Sequence, residues 1–305
     1  MFDVIIIGAS AAGCSAAIYL ARRNINFKLV SFDFGGEMVL SGEVSNYPGL
    51  GQTNGIELAQ KFSEHLELYK IKPELGYKVA SLEKVGDIFS VKFNGSEYRA
   101  KAVILATGSH PRELGILGEK ELRGKGLSYC TVCDGPIFKD KDIVIIGGGD
   151  SASEAGIMMN EIAKKAYVLT KNSVMKGDTS LIKKLQRCKN VEIITEAQTT
   201  KIDGEKFVSG VGYKDLKTGQ EKFLSAEGVF VHIGMIPNTD FLKIPELKTN
   251  ELREIIIDKS CQTNVSGFFA AGDLTDVQHK QIGIAVGQGI CAALSCVDYL
   301  NKLSA

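Results

Sequence analysis

The sequence predicts an α/β protein of two similar halves, each built on a parallel sheet, and three observations predict it. The apolar, β-branched run Phe2-Asp-Val-Ile-Ile-Ile7 ends at Gly8 and gives way to an alanine-rich helical stretch, Ala11 to Arg23. The same order recurs at Asp142 to Ile146, Gly147-Gly-Gly149 and Ser151 to Lys164. The chain has 305 residues, and cores seldom grow past roughly 250 residues before dividing. A strand that runs through a glycine turn into a helix aims the helix N–H groups at a pyrophosphate. Each half is therefore expected to be a Rossmann-like dinucleotide-binding domain.

The remaining elements follow in order. Gly55 to Tyr69 reads as a helix, and Lys78 to Ala100 as hairpin strands with a turn at Asn94-Gly95. Ala102-Val-Ile-Leu-Ala106 is a further buried strand that ends in Thr107-Gly108-Ser109, and Pro111 closes the segment. After the second glycine turn come the strands Ala166 to Leu169, Val191 to Thr195, Phe207 to Lys214 and Lys222 to Leu224, with a turn at Lys217-Thr-Gly219. Gly228 to Ile233 mirrors the strand at 102. Glu254 to Asp258 and Gly267 to Ala271 read as strands, and Gly283 to Leu303 as a long helix. This last stretch does not continue the second half, so it is expected to return to the first.

Composition narrows the partners. With 36 basic and 36 acidic side chains and no run of five like charges, nothing favours a nucleic-acid or membrane-surface partner. Val4 to Ala21 carries no charge, but Asp3, two internal glycines at motif spacing and a start at residue 4 oppose a signal or membrane span. No other segment qualifies by this reading, so a cytoplasmic protein is expected.

Seven cysteines are widely scattered, which is not a disulfide framework. Cys130-Thr-Val-Cys133, followed by Asp134-Gly135, stands shortly before Gly147 and puts a redox dithiol beside a nucleotide site. A zinc site would need Cys291 and Cys296 as well. Those two lie about 140° apart around a helix at 3.6 residues per turn and diverge. No metal site is expected, and Cys14, Cys188, Cys261, Cys291 and Cys296 read as small buried hydrophobes. Among the histidines, His279 stands beside Lys280-Gln281 and reads as solvated or packed. His65, His110 and His232 carry no constellation.

The two glycine motifs differ. Gly8-Ala-Ser10-Ala-Ala-Gly13 has serine where the middle glycine should admit the pyrophosphate, so the Ser10 Cβ is expected to crowd it or shift the turn. In the second, Gly147, Gly149 and Ala152 stand in the expected places, with Asp150 and Ser151 opening the helix. The residue that reads the adenosine ribose belongs about 20 residues on, where Thr170-Lys171 stands. An NAD site would want an acid there. Lys171 and Lys176 would neutralise a 2′-phosphate, less specifically than arginine forks.

Further segments stand in order: Gly35-Gly36-Glu37, Asn46-Tyr-Pro48-Gly49, Ala106-Thr-Gly108, Ala271-Gly-Asp273 and Lys280-Gln281. With these and Cys-x-x-Cys-Asp-Gly, the chain resembles, over nearly its whole length, the low-molecular-weight thioredoxin reductases. It also resembles the flavoprotein subunit of alkyl hydroperoxide reductase. The resemblance implies an FAD domain from residues 1–112 and 240–305, with an NAD(P) domain carrying the dithiol inserted at 113–239. It implies FAD contacts at Gly8, Ser10, Ala11, Gly13, Gly35, Gly36, Asn46, Thr107, Gly108, Gly272, Asp273, Lys280 and Gln281. For the pyridine nucleotide it implies Gly147, Gly149, Asp150, Ser151, Ala152 and Lys171. Asp273 would accept ribityl hydroxyl bonds, the plainer role being a strand-end cap. Glu37 departs from the usual glutamine, so no flavin bond is assigned to it.

By the same resemblance Cys133 faces the flavin and Cys130 exchanges with the partner disulfide. Asp134 would then be a general acid or base for the leaving thiolate, or else cap the turn at Gly135-Pro136. The donor stays open. The His-Arg-Arg cluster of NADPH-using thioredoxin reductases is absent. Met175 to Asp178 and Ala197 to Thr200 look like the hydroperoxide reductase flavoprotein, which uses NADH, and a related group takes electrons from ferredoxin. The function expected is a homodimeric thioredoxin-disulfide reductase that passes electrons through FAD and Cys130–Cys133 to a thioredoxin-like protein. Because the chain starts at the FAD strand, without the N-terminal redox module of the hydroperoxide reductase flavoprotein, its acceptor is expected to be a separate protein. That acceptor is expected to be a thioredoxin or a glutaredoxin-like carrier for a peroxiredoxin. The rivals are a flavin-dependent dithiol oxidase and a non-catalytic flavin-binding protein. Dithiol and nicotinamide would take turns at the flavin by domain rotation, with hinges near Glu113 to Gly118 and Pro237 to Phe241.

Overall fold

A computed structural model describes residues 1–41, 43–93 and 95–303. The chain divides into two compact units, Met1–His110 with Ile236–Ala305, and Pro111–Met235. In the first, Phe2–Ala9 lies parallel between Phe27–Phe34 and Ser96–Leu105. Its residues Val4, Ile5, Ile6 and Ile7 are all buried, as a parallel strand covered on both faces requires. Helix α1 (Ala11–Arg22) follows the first glycine turn, and α2 (Gly55–Leu68) buries Leu58, Phe62 and Leu66.

The strand expected at 102 is not separate. Ser96–Leu105 is one strand that pairs antiparallel with Ile88–Phe93 through its first half. Its second half pairs parallel with Phe2–Ala9 and with Phe268–Ala270. The change of partner coincides with a change from mixed to continuous burial along the strand, which is the difference between a half-exposed and a covered sheet. Ile88–Phe93 pairs in turn with Val79–Val85, so two turns serve this meander. The Asn94 half of the expected turn lies outside the described residues. Glu254 to Asp258 is not a strand either: Ile255 makes only isolated bridges to Thr249 and Thr275. The Asn250 side chain takes the N–H groups of Leu252 and Glu254, and the Asp258 carboxylate those of Ser260 and Gln262. These local bonds compete successfully with a ladder.

Helix α7 (Ile282–Leu303) returns the C-terminal segment to the first unit. It has a mean hydropathy of 1.4 over its most apolar window, long and apolar enough by composition to cross a membrane. The expectation that only the N-terminal stretch passes that test was therefore incomplete. Here α7 lays Ala285, Gly289, Ala292, Ala293 and Cys296 into the core. A Cβ on Gly289 would sit 2.1 Å from the Ala12 carbonyl oxygen, so the small-residue face lets α7 and α1 meet backbone to backbone.

The second unit holds a five-stranded sheet in the order Val191–Ile194, Lys165–Leu169, Asp142–Ile146, Gly228–Val231, Leu127–Ser128, all parallel. Helix α3 (Glu119–Leu122) and helix α4 (Thr131–Asp134) precede it on either side of Leu127–Ser128. Helices α5 (Asp150–Met159) and α6 (Thr179–Gln186) make its crossovers. α5 stops before the expected Lys164 because Ile162 O and Lys164 N are drawn to Asp140 and Lys141. A three-stranded antiparallel sheet, Ala197–Gly204, Val208–Asp215 and Glu221–Ser225, adjoins in sequence. Its first strand was not expected.

The crossings differ from the boundaries expected at 112 and 239. Asn238 is bonded into the first unit: its N–H donates to Gly108 O, its amide to Thr107 O, and its carbonyl accepts from Thr107 Oγ1 at 2.8 Å. Glu113 to Gly118 is bonded into the second. The Leu114 and Gly115 N–H groups donate to the Glu119 carboxylate, and Ile202 N donates to Leu117 O. Both expected hinge segments thus carry hydrogen bonds to one unit. The crossings themselves are a short ribbon of Ser109–Pro111 and Met235–Pro237.

Candidate functional site

In the first unit the glycine turn is pressed against the end of Ser96–Leu105. Gly8 has φ +110°, and a Cβ on it would meet Ala106 O at 2.2 Å. One on Gly13 would meet Gly8 O at 1.8 Å. The Ser10 hydroxyl donates to Gly35 O at 2.7 Å. It therefore leaves the start of α1 without a side-chain cap, as Gly149 does for α5. In contrast, α2 and α6 are capped by Asn54 and Asp178. The two helices that follow glycine turns keep first-turn N–H groups for an anion.

Around this turn stand the other expected residues. Gly35 and Gly36 have φ +88° and +51° and make the bend that receives Ser10. Gly272, φ +89°, stands over Ala12 and donates its N–H to Gln288 Oε1 at 2.7 Å. Next to it burial pushes the Asp273 carboxyl above its usual range, with Lys280 opposing the shift and Glu37 adding to it. The Lys280 ammonium is held by Glu254 at 2.8 Å and by the Thr275 carbonyl. Asn46 Nδ2 donates to Gln281 Oε1 at 3.2 Å. Gly108 is left-handed with open space where a Cβ would stand. The arrangement suits a ligand with an anionic group at the α1 turn and hydroxyls near Asp273, since a buried carboxylate needs donors. Gln288 carried no signal in the sequence.

In the second unit a Cβ on Gly147 would meet His232 O at 2.2 Å, and one on Gly148 would meet Thr170 Oγ1 at 2.3 Å. Gly149 faces open space. Thr170 is buried, its hydroxyl taking the Asn172 N–H, while Lys171 and Ser151 are exposed and Ala152 is in the core. The Asp150 carboxylate accepts from Asp178 N at 2.7 Å, and Lys176 N donates to Gly148 O at 2.6 Å. These two bonds latch the segment that carries Lys176 onto the glycine turn. Asp150 thus has a loop-holding bond that its place in the motif did not suggest.

The dithiol belongs to the same unit. Cys130 and Cys133 form a disulfide with Cα atoms 5.3 Å apart, and Cys133 N donates to Cys130 Sγ at 3.2 Å. Ser128 ties the motif together: its hydroxyl donates to Asp134 Oδ2 at 2.5 Å and accepts from Cys130 N at 3.0 Å. Asp134 is therefore held on the cysteine turn. Val132, between the cysteines, is 59% exposed. Behind it, Tyr129 donates to the buried Glu119 carboxylate, burial and that carboxylate both raising the phenol pKa. Thr131 Oγ1 lies 2.5 Å from His232 Nε2. Burial holds the His232 pKa down to about 4. Neither Ser128 nor His232 stood out in the sequence.

The sequence matches the pyridine nucleotide-disulphide oxidoreductase family over residues 2–289. It is 40% identical over 302 residues to an alkyl hydroperoxide reductase subunit of Staphylococcus aureus (strain MRSA252), covering 99% of this chain and 59% of that protein. It is 41% identical, with the same coverage, to a Bacillus subtilis (strain 168) protein named NADH dehydrogenase. The chain thus spans about three-fifths of the length of these curated relatives. Among solved structures, thioredoxin reductase from Streptococcus pyogenes MGAS5005 superimposes with a TM-score of 0.92 at 35% identity, covering 99% of both chains. With two glycine turns, a dithiol turn and a match along almost all its length, the chain belongs to the pyridine nucleotide-disulphide oxidoreductase family and has the two-domain architecture of thioredoxin reductases.

Proposed function

We propose that the protein is a thioredoxin-disulfide-reductase-type flavoenzyme that passes electrons from NAD(P)H through FAD and Cys130–Cys133 to the disulfide of a thioredoxin-like protein. The observation that carries this reading is the Cys130–Cys133 disulfide, with Asp134 held on its turn, in the same unit as the Gly147 turn. Family membership implies FAD and a pyridine nucleotide. The α1 turn, with Gly8, Ser10, Ala11, Gly13, Gly35 and Gly36, would take the flavin nucleotide's pyrophosphate. Asp273 would take ribityl hydroxyls, with Thr107, Gly108, Gly272, Asn46, Lys280 and Gln281 around it. The α5 turn, with Gly147, Gly149, Asp150, Ser151, Ala152 and Lys171, would hold the pyridine nucleotide. FAD, when bound, supplies the two-electron relay between hydride donor and disulfide.

Reduction breaks the Cys130–Cys133 bond with two electrons. Cys130, whose sulfur holds the Cys133 N–H, attacks the partner disulfide as thiolate and forms a mixed disulfide. Cys133, giving its proton to Asp134, then displaces the partner's second sulfur and restores the internal bond, and Asp134 passes that proton to the leaving thiolate. An N–H on the thiolate favours the charged form. The reading includes a cytoplasmic homodimer. It also includes rotation of one unit relative to the other, about Ser109 to Arg112 and Gly234 to Ile236, because the flavin and dithiol residues fall in different units.

A second reading has NADH as donor and a glutaredoxin-like carrier for a peroxiredoxin as acceptor; its donor is supported by the relative named NADH dehydrogenase. Thr170, with its hydroxyl turned to Asn172 N, offers neither an acid nor an arginine fork. Anaerobic mixing of the flavin-loaded protein with NADH, NADPH and reduced ferredoxin tests the donor. Fast flavin bleaching by NADH or NADPH is the expected result. Bleaching by ferredoxin alone overturns the nucleotide part, and, with a small dithiol added as a fourth arm, bleaching by the dithiol alone would make the protein a dithiol oxidase.

A further inference from the structure

His232 follows the strand Gly228–Val231 and touches both parts of the candidate site in the second unit. Its carbonyl backs Gly147 so closely that a Cβ there would sit 2.2 Å from the oxygen, and its N–H donates to Ile146 O at 2.7 Å. Its ring reaches to the dithiol turn, Nε2 lying 2.5 Å from Thr131 Oγ1. Thr131 is 3% exposed, sits between the two cysteines and opens α4. Its methyl packs beside Gly135 at the far end of the same turn, where a Cβ would stand 3.5 Å from Thr131 Cγ2. One side chain thus joins the rigid end of a parallel sheet to the turn that carries the sulfurs.

We propose that His232 is a positioning residue for the Cys130–Cys133 couple, anchoring the first turn of α4 through Thr131 and thereby setting the reduction potential of the pair. The inference rests on the reading of Cys130–Cys133 as the redox centre. Two electrons and one proton convert the disulfide to a Cys133 thiol and a Cys130 thiolate. The Cys133 N–H, 3.2 Å from Cys130 Sγ in the disulfide, stabilises that thiolate only while the turn keeps its shape. A couple whose reduced form is stabilised is the stronger oxidant, so loosening the turn makes the pair more reducing. Thr131 suits the task, because a β-branched side chain is stiff at χ1 and its buried hydroxyl needs a partner. The His232 ring is neutral in the working range, with one nitrogen donating and the other accepting, so the bond persists there.

The test is the equilibrium between disulfide and dithiol in glutathione redox buffers, read by thiol alkylation on the flavin-loaded full chain. Relative to wild type, His232→Ala and Thr131→Val are expected to shift the exchange constant about tenfold toward the disulfide, about 30 mV for a two-electron couple. His232→Gln, which still reaches the hydroxyl, and Thr131→Ser, which keeps it, are expected to stay within about threefold of wild type. If His232→Ala fails to fold, the Val and Ser variants of Thr131 make the same comparison. Wild-type constants in His232→Ala and Thr131→Val, or a shift in His232→Gln as large as in His232→Ala, overturn the inference. A wild-type pair that does not titrate at all overturns the redox reading itself.

Discussion

At neutral pH the His232 ring is uncharged, because burial holds its pKa down to about 4. An unfolded histidine titrates near 6.5. As pH falls below 6.5 the unfolded chain takes up a proton that the folded protein refuses. Stability that is whole above pH 6.5 is therefore lost on the way down to about 4. At about 1.4 kcal/mol per unit, the loss reaches about 3 kcal/mol. Denaturant melts of wild type and His232→Gln between these limits should diverge by roughly that amount, and parallel curves contradict the assignment. Asp273 acts with the opposite sign. Its raised pKa makes ionisation a cost that grows as pH rises above the ordinary carboxylate value. The Cys130–Cys133 disulfide was legible as a pair because its two cysteines stand close in sequence and carry redox chemistry in their residue type. The Thr131–His232 pair is 101 residues apart in sequence and is brought together only by the sheet register, which no local pattern encodes.

Among the elements, the strand–glycine–helix turns carry the architecture. They were legible because glycine is required there by close approach, not by composition. At Gly13 a Cβ would stand 1.8 Å from Gly8 O, backbone against backbone. Gly13→Ala should therefore cost about 1–3 kcal/mol as an overpacked substitution, with loss of retained flavin because the start of α1 is displaced. Gly149→Ala, with nothing within 4 Å of the added carbon, should melt with the wild type. Thermal melts and flavin absorbance after gel filtration check both, and an unchanged Gly13→Ala protein contradicts the packing. Elements were misread where their pattern is set by neighbours. Ser96–Leu105 changes sheet partner midway, Ala197–Gly204 shows mixed burial, and 254–258 is claimed by Asn250 and Asp258.

Across the whole molecule, two units arise from one chain that leaves the first sheet after His110 and returns at Ile236. The doubled motif made two units readable. The positions of the crossings were not readable, since they depend on Asn238 bonding back to Thr107 and Gly108. The residues proposed for the flavin and the dithiol fall in different units, and in the proposed electron path Cys133 is the sulfur that would meet the flavin. The most direct test is single turnover of the flavin-loaded Cys133→Ser protein, mixed anaerobically with its donor and then with the disulfide form of a thioredoxin-like protein. The flavin is expected still to be reduced, and transfer to the protein disulfide to fall to background. Sustained disulfide reduction by this variant would contradict it.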